Sequence, residues 1–204
     1  MSANEAPAIT ADEALERLQA GNQRFLAGAA RFPTVQKEIL ADLAKGQHPY
    51  ATILSCSDSR VPPELIFDAG FGELFIIRVA GNVYSAEVAA SLQYAGRHLQ
   101  TPLFVVLGHT KCGAVHAALD TRFQGSQHHS RIQLLVDSIV PAFDDLDPQL
   151  SPDALLAQAV ESNVRWSIRQ ILETPEVRER QVEGRMKLVG AIYEIETGHV
   201  RLLA

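Results

Sequence analysis

"TPLFVVLGHTKCGAVHAALD", residues 101–120, is the stretch whose reading decides the fold. Its first half is a nearly continuous apolar run. Such a run suits a strand buried on both faces of a parallel sheet better than one half-exposed in an antiparallel pair. From Cys112 onward the pattern turns helical. The change falls across His109-Thr110-Lys111-Cys112, so an imidazole and a thiol share one strand-to-helix turn. A thiol placed there lies near a helix N-terminus, which favours its thiolate.

Two more runs of the same kind precede it. "YATILSC" (50–56) and "GELFIIRVA" (72–80) both read as buried parallel strands. Between them, "VPPELIFDAG" offers one helical turn with Pro62 and Pro63 at its start. "SAEVAASLQYAGRHL" (85–99) is helical, with Val88, Leu92, Ala95 and Leu99 on one face. Nearer the start, residues 10–27 read as a helix. Thr10 and Glu13 form a capping box, and Leu15, Leu18, Asn22, Phe25 and Leu26 make a mostly apolar stripe. A second helical pattern spans 34–45. "TRFQGSQHHS" (121–130) reads as a loop, followed by helices near 130–140, 151–172 and 174–184, the second starting at Ser151 with Pro152 in its first turn. "RMKLVGAIYEIETGHVRLL" closes the chain as strand, Glu-Thr-Gly turn and returning strand. Strands alternating with helices imply an α/β fold with a mainly parallel central sheet, flanking helices and an antiparallel C-terminal edge strand. The expectation is one domain over 1–204 with an N-terminal helical arm at about 10–45.

The chain's 204 residues are 47% apolar and 21% charged, as in an ordinary globular protein. A net charge of -6 argues against a nucleic-acid partner. No apolar stretch approaches the length of a membrane span. "MSANEAPAIT" has neither a basic leader nor an apolar core, and two cysteines are not a disulfide framework. A cytoplasmic protein with reduced thiols is expected.

Those two cysteines carry the chemistry. Cys56 ends the first strand, and His109 and Cys112 end the third. Open parallel sheets gather ligands beyond the carboxyl ends of their strands, where strand order reverses. If the first and third strands are neighbours, two thiols and an imidazole converge, a donor set suited to zinc. Singly, each residue also reads as a small core thiol or a capping imidazole. Three strong ligands with Asp58 nearby point to an open, catalytic metal site rather than a closed structural one. Asp58 and Arg60 stand two apart, so both point the same way on extended chain. They read either as a surface ion pair or as an acid that Arg60 holds off the metal.

"CSDSR" followed about fifty residues later by "GHTKCGAV" resembles the beta-class carbonic anhydrases. So do "PELIFDAGFGELFIIRVAGN", "SLQYA", "RLQAGNQRF" and "LVGAIYEIETGHVRLL". The resemblance runs from about Leu15 to the C-terminus. It implies one zinc per chain on Cys56, His109 and Cys112. The fourth position would take water or hydroxide, or Asp58 in a closed form, and zinc-bound hydroxide would hydrate carbon dioxide reversibly to bicarbonate and a proton. Two thiolates lower the metal's charge, so a stronger dependence on alkaline pH is expected than for an all-histidine site.

The resemblance also implies a substrate pocket of Gln47, Phe75, Tyr94 and Gly113, lying at a subunit interface of a dimer or a dimer of dimers. Read alone, these residues would be a loop amide, a core aromatic and a helix-face tyrosine. Ile53 stands where the allosteric branch carries Trp, so the plant-type, non-allosteric branch is expected. Val79 replaces a frequent Asn. His128 and His129 read as solvated, His98 and His116 as structural or surface groups, and Tyr84 and His48 as pocket-edge groups at most. Rival readings are a zinc hydrolase or lyase acting on a carbon dioxide analogue such as carbon disulfide, and a non-catalytic zinc or redox module. A cysteine phosphatase loop is excluded, because it needs five residues between Cys and Arg and here there are three.

Overall fold

The structure, a computed structural model, describes residues 9–31 and 37–203. Five strands form one sheet in the order β2-β1-β3-β4-β5. They are β1 (Ala51–Ser55), β2 (Leu74–Arg78), β3 (Leu103–His109), β4 (Lys187–Tyr193) and β5 (Val200–Leu202). The first four run parallel, and β5 returns antiparallel to β4. The α/β fold, the parallel sheet and the antiparallel edge are therefore those expected.

Every residue of β1 and β3 is buried, as their unbroken apolar runs predict. The run at 72–80 differs. It forms an edge strand, β2, whose Leu74, Phe75, Ile76 and Ile77 are only half-buried and whose Arg78 is exposed. An apolar run reports the wish for burial but not how much of it one chain supplies.

Helix α1 (Ala11–Leu26) starts with the predicted capping box. Thr10 Oγ1 accepts from the Glu13 N–H at 3.2 Å, and the Glu13 carboxylate accepts from the Thr10 N–H at 2.7 Å. Its buried stripe includes Leu18 and the polar Asn22. Asn22 is fully used: its amide donates to the Ile66 and Gly198 carbonyls at 3.2 and 2.9 Å and accepts from the Val200 N–H at 3.0 Å. One side chain thus ties α1 to α3 (Pro63–Ile66) and to the turn before β5. Helix α2 (Lys37–Leu43) covers part of the second helical pattern, whose residues 34–36 lie outside the described residues.

Helix α4 (Ala86–Tyr94) runs on through a π-helical turn, Ala95–Leu99, which Gln100 ends in a left-handed conformation (φ 55°). Val88, Leu92 and Ala95 of the predicted face are buried. Helix α5 (Gly113–Gln124) extends into the segment expected to be loop. Its polar last turn carries no apolar signal, and Gly125, at φ 70°, is what stops it. Helices α6 (Arg131–Ile139), α7 (Pro152–Leu172) and α8 (Pro175–Val182) follow as predicted.

The sheet's pleat assigns the layers. Gly108 and Gly190 face Val164 of α7. Their neighbours of opposite parity, Val105 and Ala191, face Leu15, Leu18 and Asn22 of α1. The two helices therefore cover opposite faces.

Gly21 brings α1 directly against the backbone at Phe67. A Cβ there would lie 1.8 Å from the Phe67 carbonyl oxygen. Backbone cannot yield as a side-chain tip does, so Gly21→Ala must lift the helix. We expect a loss of about 3 kcal/mol, and a melting temperature lower by on the order of 5–10 °C in circular dichroism. An unchanged melting curve would contradict this docking.

Candidate metal centre

Strands β1 and β3 are direct neighbours, with Ser55 opposite Leu107. The flanking order places the reversal of strand connection between them, so a crevice opens at their carboxyl ends. Cys56 follows β1, His109 ends β3, and Cys112 is the residue from which α5 starts. Lys111, at φ 56°, turns the chain between the last two. Their ligand atoms all lie within 4.8 Å of one another, and all three residues are buried.

The histidine's tautomer is set locally. His109 Nδ1 faces the Thr110 carbonyl oxygen at 2.8 Å and so carries the proton. Nε2 is left as a bare acceptor, buried and with no hydrogen-bond partner among the described residues. An orphaned imidazole nitrogen beside two sulfurs is a donor set that fits zinc.

The thiols are electrostatically unequal. The Cys56 thiol is pulled far down, first by its hydrogen bond with Cys112 and further by the Gly81 N–H at 3.3 Å, against the cost of burial. The same contact pushes Cys112 up.

Asp58 is held by Arg60. The Arg60 N–H and Nε donate to Oδ1 at 2.9 Å each, and Nη2 donates to Oδ2 at 2.7 Å. These bonds keep the carboxyl well below the usual carboxylate range. Oδ2 stands 4.0 Å from His109 Nε2, beside the cluster but turned to the arginine.

Several supporting residues escaped the sequence reading. Arg78, at the end of β2 and opposite Ser55, donates from Nε to the Cys56 carbonyl at 3.0 Å and from Nη2 to the Asp58 carbonyl at 2.6 Å. It fixes the backbone on both sides of Ser57. The turn Ala80–Asn82, which offers the Gly81 N–H, is held from α7. Asn163 donates to the Gly81 carbonyl at 2.8 Å, and Ser167 to that of Asn82 at 3.0 Å. A usable signal existed, since Asn163 and Ser167 are polar, four apart, on the buried stripe that also carries Val160, Val164 and Ile171. The loop 109–112 is braced by Thr110, which bonds the Glu196 carboxylate and the Ile195 N–H at 3.0 Å each.

The remaining predicted residues divide. Gly113 opens α5 beside Cys112, with open space where a Cβ would stand. Gln47 is exposed. Phe75 and Tyr94 meet each other, ring centroids 6.0 Å apart, and Tyr94 also faces His98 at 5.1 Å. They do not meet the cluster. Phe75 pairs with Thr52, four residues before Cys56, about 13 Å back along the strand. His116 lies 3.2 Å from Asp120, and Tyr84 3.1 Å from the Thr174 hydroxyl.

A family model described as carbonic anhydrase matches residues 51–200. The chain is 35% identical over 191 residues to carbonic anhydrase 2 of Mycobacterium tuberculosis, covering 93% of this chain and 91% of that one. It is 33% identical over 193 residues to the carbonic anhydrase of Mycolicibacterium smegmatis, at the same coverages of 93% and 91%. Among solved structures, the beta-carbonic anhydrase CcaA aligns at TM-score 0.73 with 29% identity, covering 93% of this chain and 95% of that one. A tetrameric beta-carbonic anhydrase of Sordaria macrospora aligns at TM-score 0.76 with 22% identity, covering 94% and 98%, a likeness of fold alone.

The Arg60–Asp58 pair has a pH signature. Asp58 is depressed in the folded state, so its stabilisation is present above the unfolded value near 3.9 and is lost as pH falls through the folded value. Arg60→Gln removes the main cause. Because Arg60 is half exposed, solvent screening should keep the loss at pH 7 small. In urea unfolding, the gap between variant and parent should narrow between about pH 5 and pH 2. A gap that widens on acidification would contradict the assignment.

Proposed function

This chain belongs to the beta-class carbonic anhydrases, and from that premise we propose that it interconverts carbon dioxide and bicarbonate, with release of a proton, using one zinc held by Cys56, His109 and Cys112. The observation that carries this reading is the buried, unpartnered His109 Nε2 facing two thiols beside a carboxylate. When bound, zinc supplies the Lewis acidity that makes water nucleophilic near neutral pH, less strongly with two thiolates than with imidazoles alone.

The chain's own groups do the rest. Asp58 stays ionised through any working pH and serves as a hydrogen-bond acceptor that orients water at the crevice mouth. Arg60 holds that carboxylate away from the thiols, leaving a coordination position open. Arg78 keeps the Cys56 and Asp58 backbone in one geometry. The amide of Gln47 and the rings of Phe75 and Tyr94 form the substrate wall, with Gly113 leaving room for approach. An apolar wall suits carbon dioxide, which offers little to hydrogen bond.

Phe75 and Tyr94 lie too far from their own cluster to act there, and β2 leaves them half-covered or exposed. We infer that a second copy brings its Phe75 and Tyr94 to this crevice, in a single-domain homodimer or a dimer of dimers. Reduced cysteines suit the cytoplasm, and no described helix is long and apolar enough to cross a membrane.

Metal analysis with stopped-flow carbon dioxide hydration tests the reaction. We expect one zinc per chain and faster hydration at pH 8.5 than at pH 7. Cys112→Ala should lose both zinc and activity. Asp58→Ala should keep zinc and lose roughly 100-fold in rate. One zinc per chain with no hydration at either pH would overturn the proposal. Phe75→Asp tests the shared pocket: gel filtration should show a smaller particle, with activity lost together with assembly.

A further inference from the structure

At the opposite end of the sheet, where β3 and β4 begin, a cavity of about 320 Å³ lies between the π-helical turn and α8. That is the small end of the range for ligand pockets. It shares no residue with the metal centre. Leu92, Phe104, Val177 and Met186 give it apolar walls.

Arginines line this space, and one of them is short of hydrogen-bond acceptors. Among the described residues Arg180 Nε, which is buried, has no hydrogen-bond partner, and its Nη2 reaches only the Arg185 carbonyl, at 3.5 Å. Arg185, also at the cavity, is paired to Glu183 instead. Burying guanidinium N–H groups without an acceptor is costly. Burial and the nearby Arg185 both depress its ionisation. The side chain lies over Gly96 of the π-helical turn, where even an added Cβ would stand 3.7 Å from Nε and 3.7 Å from Phe104. Arg97, the next residue of that turn, brings a second guanidinium to the same wall. A π turn is one residue wider than an α turn, and such turns recur at functional sites.

The cavity's charge limits what would fit. Glu176 and Glu179 of α8 also line it. They offset much of the arginine charge, so what remains suits one negative charge better than two. We propose that this cavity binds a small monocarboxylate with a short apolar tail, its carboxylate forked by Arg180 and Arg97 and its tail against Leu92, Phe104 and Val177. The planar guanidinium matches a carboxylate in two-point contact, and the walls match an alkyl chain.

Calorimetric titration of the zinc-loaded protein with hexanoate tests this. Saturable binding of one hexanoate per chain is expected. Acetate, which lacks the tail, and inorganic phosphate, which is largely dianionic, should each bind at least about tenfold more weakly. Arg180→Gln should weaken hexanoate by about tenfold or more. Arg97→Gln, an exposed position whose loss leaves the fold and the hydration rate intact, should do the same. Three results would overturn the proposal: no saturable heat, phosphate binding as tightly as hexanoate, or hexanoate binding undiminished in Arg97→Gln, which would put the ligand elsewhere.

Discussion

Parallel pairing of β1 with β3 is the constraint on which the rest depends. These strands are separated in sequence by a helix, an edge strand and a second helix, yet they lie side by side with Ser55 opposite Leu107. Chain leaving β1 goes toward the β2 edge, and chain leaving β3 goes toward β4. The two departures open a crevice with a thiol on one lip and an imidazole on the other. Nothing in either loop alone could do this. A one-residue slip of the pairing would turn every side chain of a strand to the opposite face, and the unbroken burial of both strands leaves little freedom for it.

Around that crevice each charged group already has a task. Arg60 is committed to the Asp58 carboxylate and Arg78 to two backbone carbonyls. Neither is free to approach the thiols and compete with a cation. The amide of Gly81 instead offers Cys56 a neutral dipole. Gly81 can do so because it takes φ 67°, with Ile139 and Ala114 packed where a side chain would be. The negative charge of the ligand pair is thus left for a metal to neutralise, and the positive charge nearby is spoken for.

Features written in residue type and local period were legible. The Thr10–Glu13 cap, the apolar runs of β1 and β3, and the two cysteines at strand ends could be read directly, because each depends on neighbours in the chain. What depended on spatial neighbours was less so. Arg78 looked like the end of a strand until pairing set it beside Cys56. Asn163 and Ser167 went unread, since their carbonyl partners lie about eighty residues away. Residues 121–124 were polar enough for a loop, although helical hydrogen bonding does not require apolar residues. The run at 72–80 signalled burial, but the described residues leave β2 only half covered. The grouping of Phe75 with Tyr94, rather than with the cluster, came from register, which composition does not encode.

Asn22 carries a consequence for the order of events in synthesis. Its acceptor at Gly198 lies 176 residues further along the chain. A ribosome adding about 5–20 residues per second needs on the order of ten seconds or more to make that stretch. Helix α1 can form early, since its cap is local, but of the three groups that bind Asn22 only the Ile66 carbonyl is made soon after it. One of the first helices to emerge is therefore among the last to be seated. Through that interval its apolar stripe stands open to chaperones, or to the matching surface of another nascent chain.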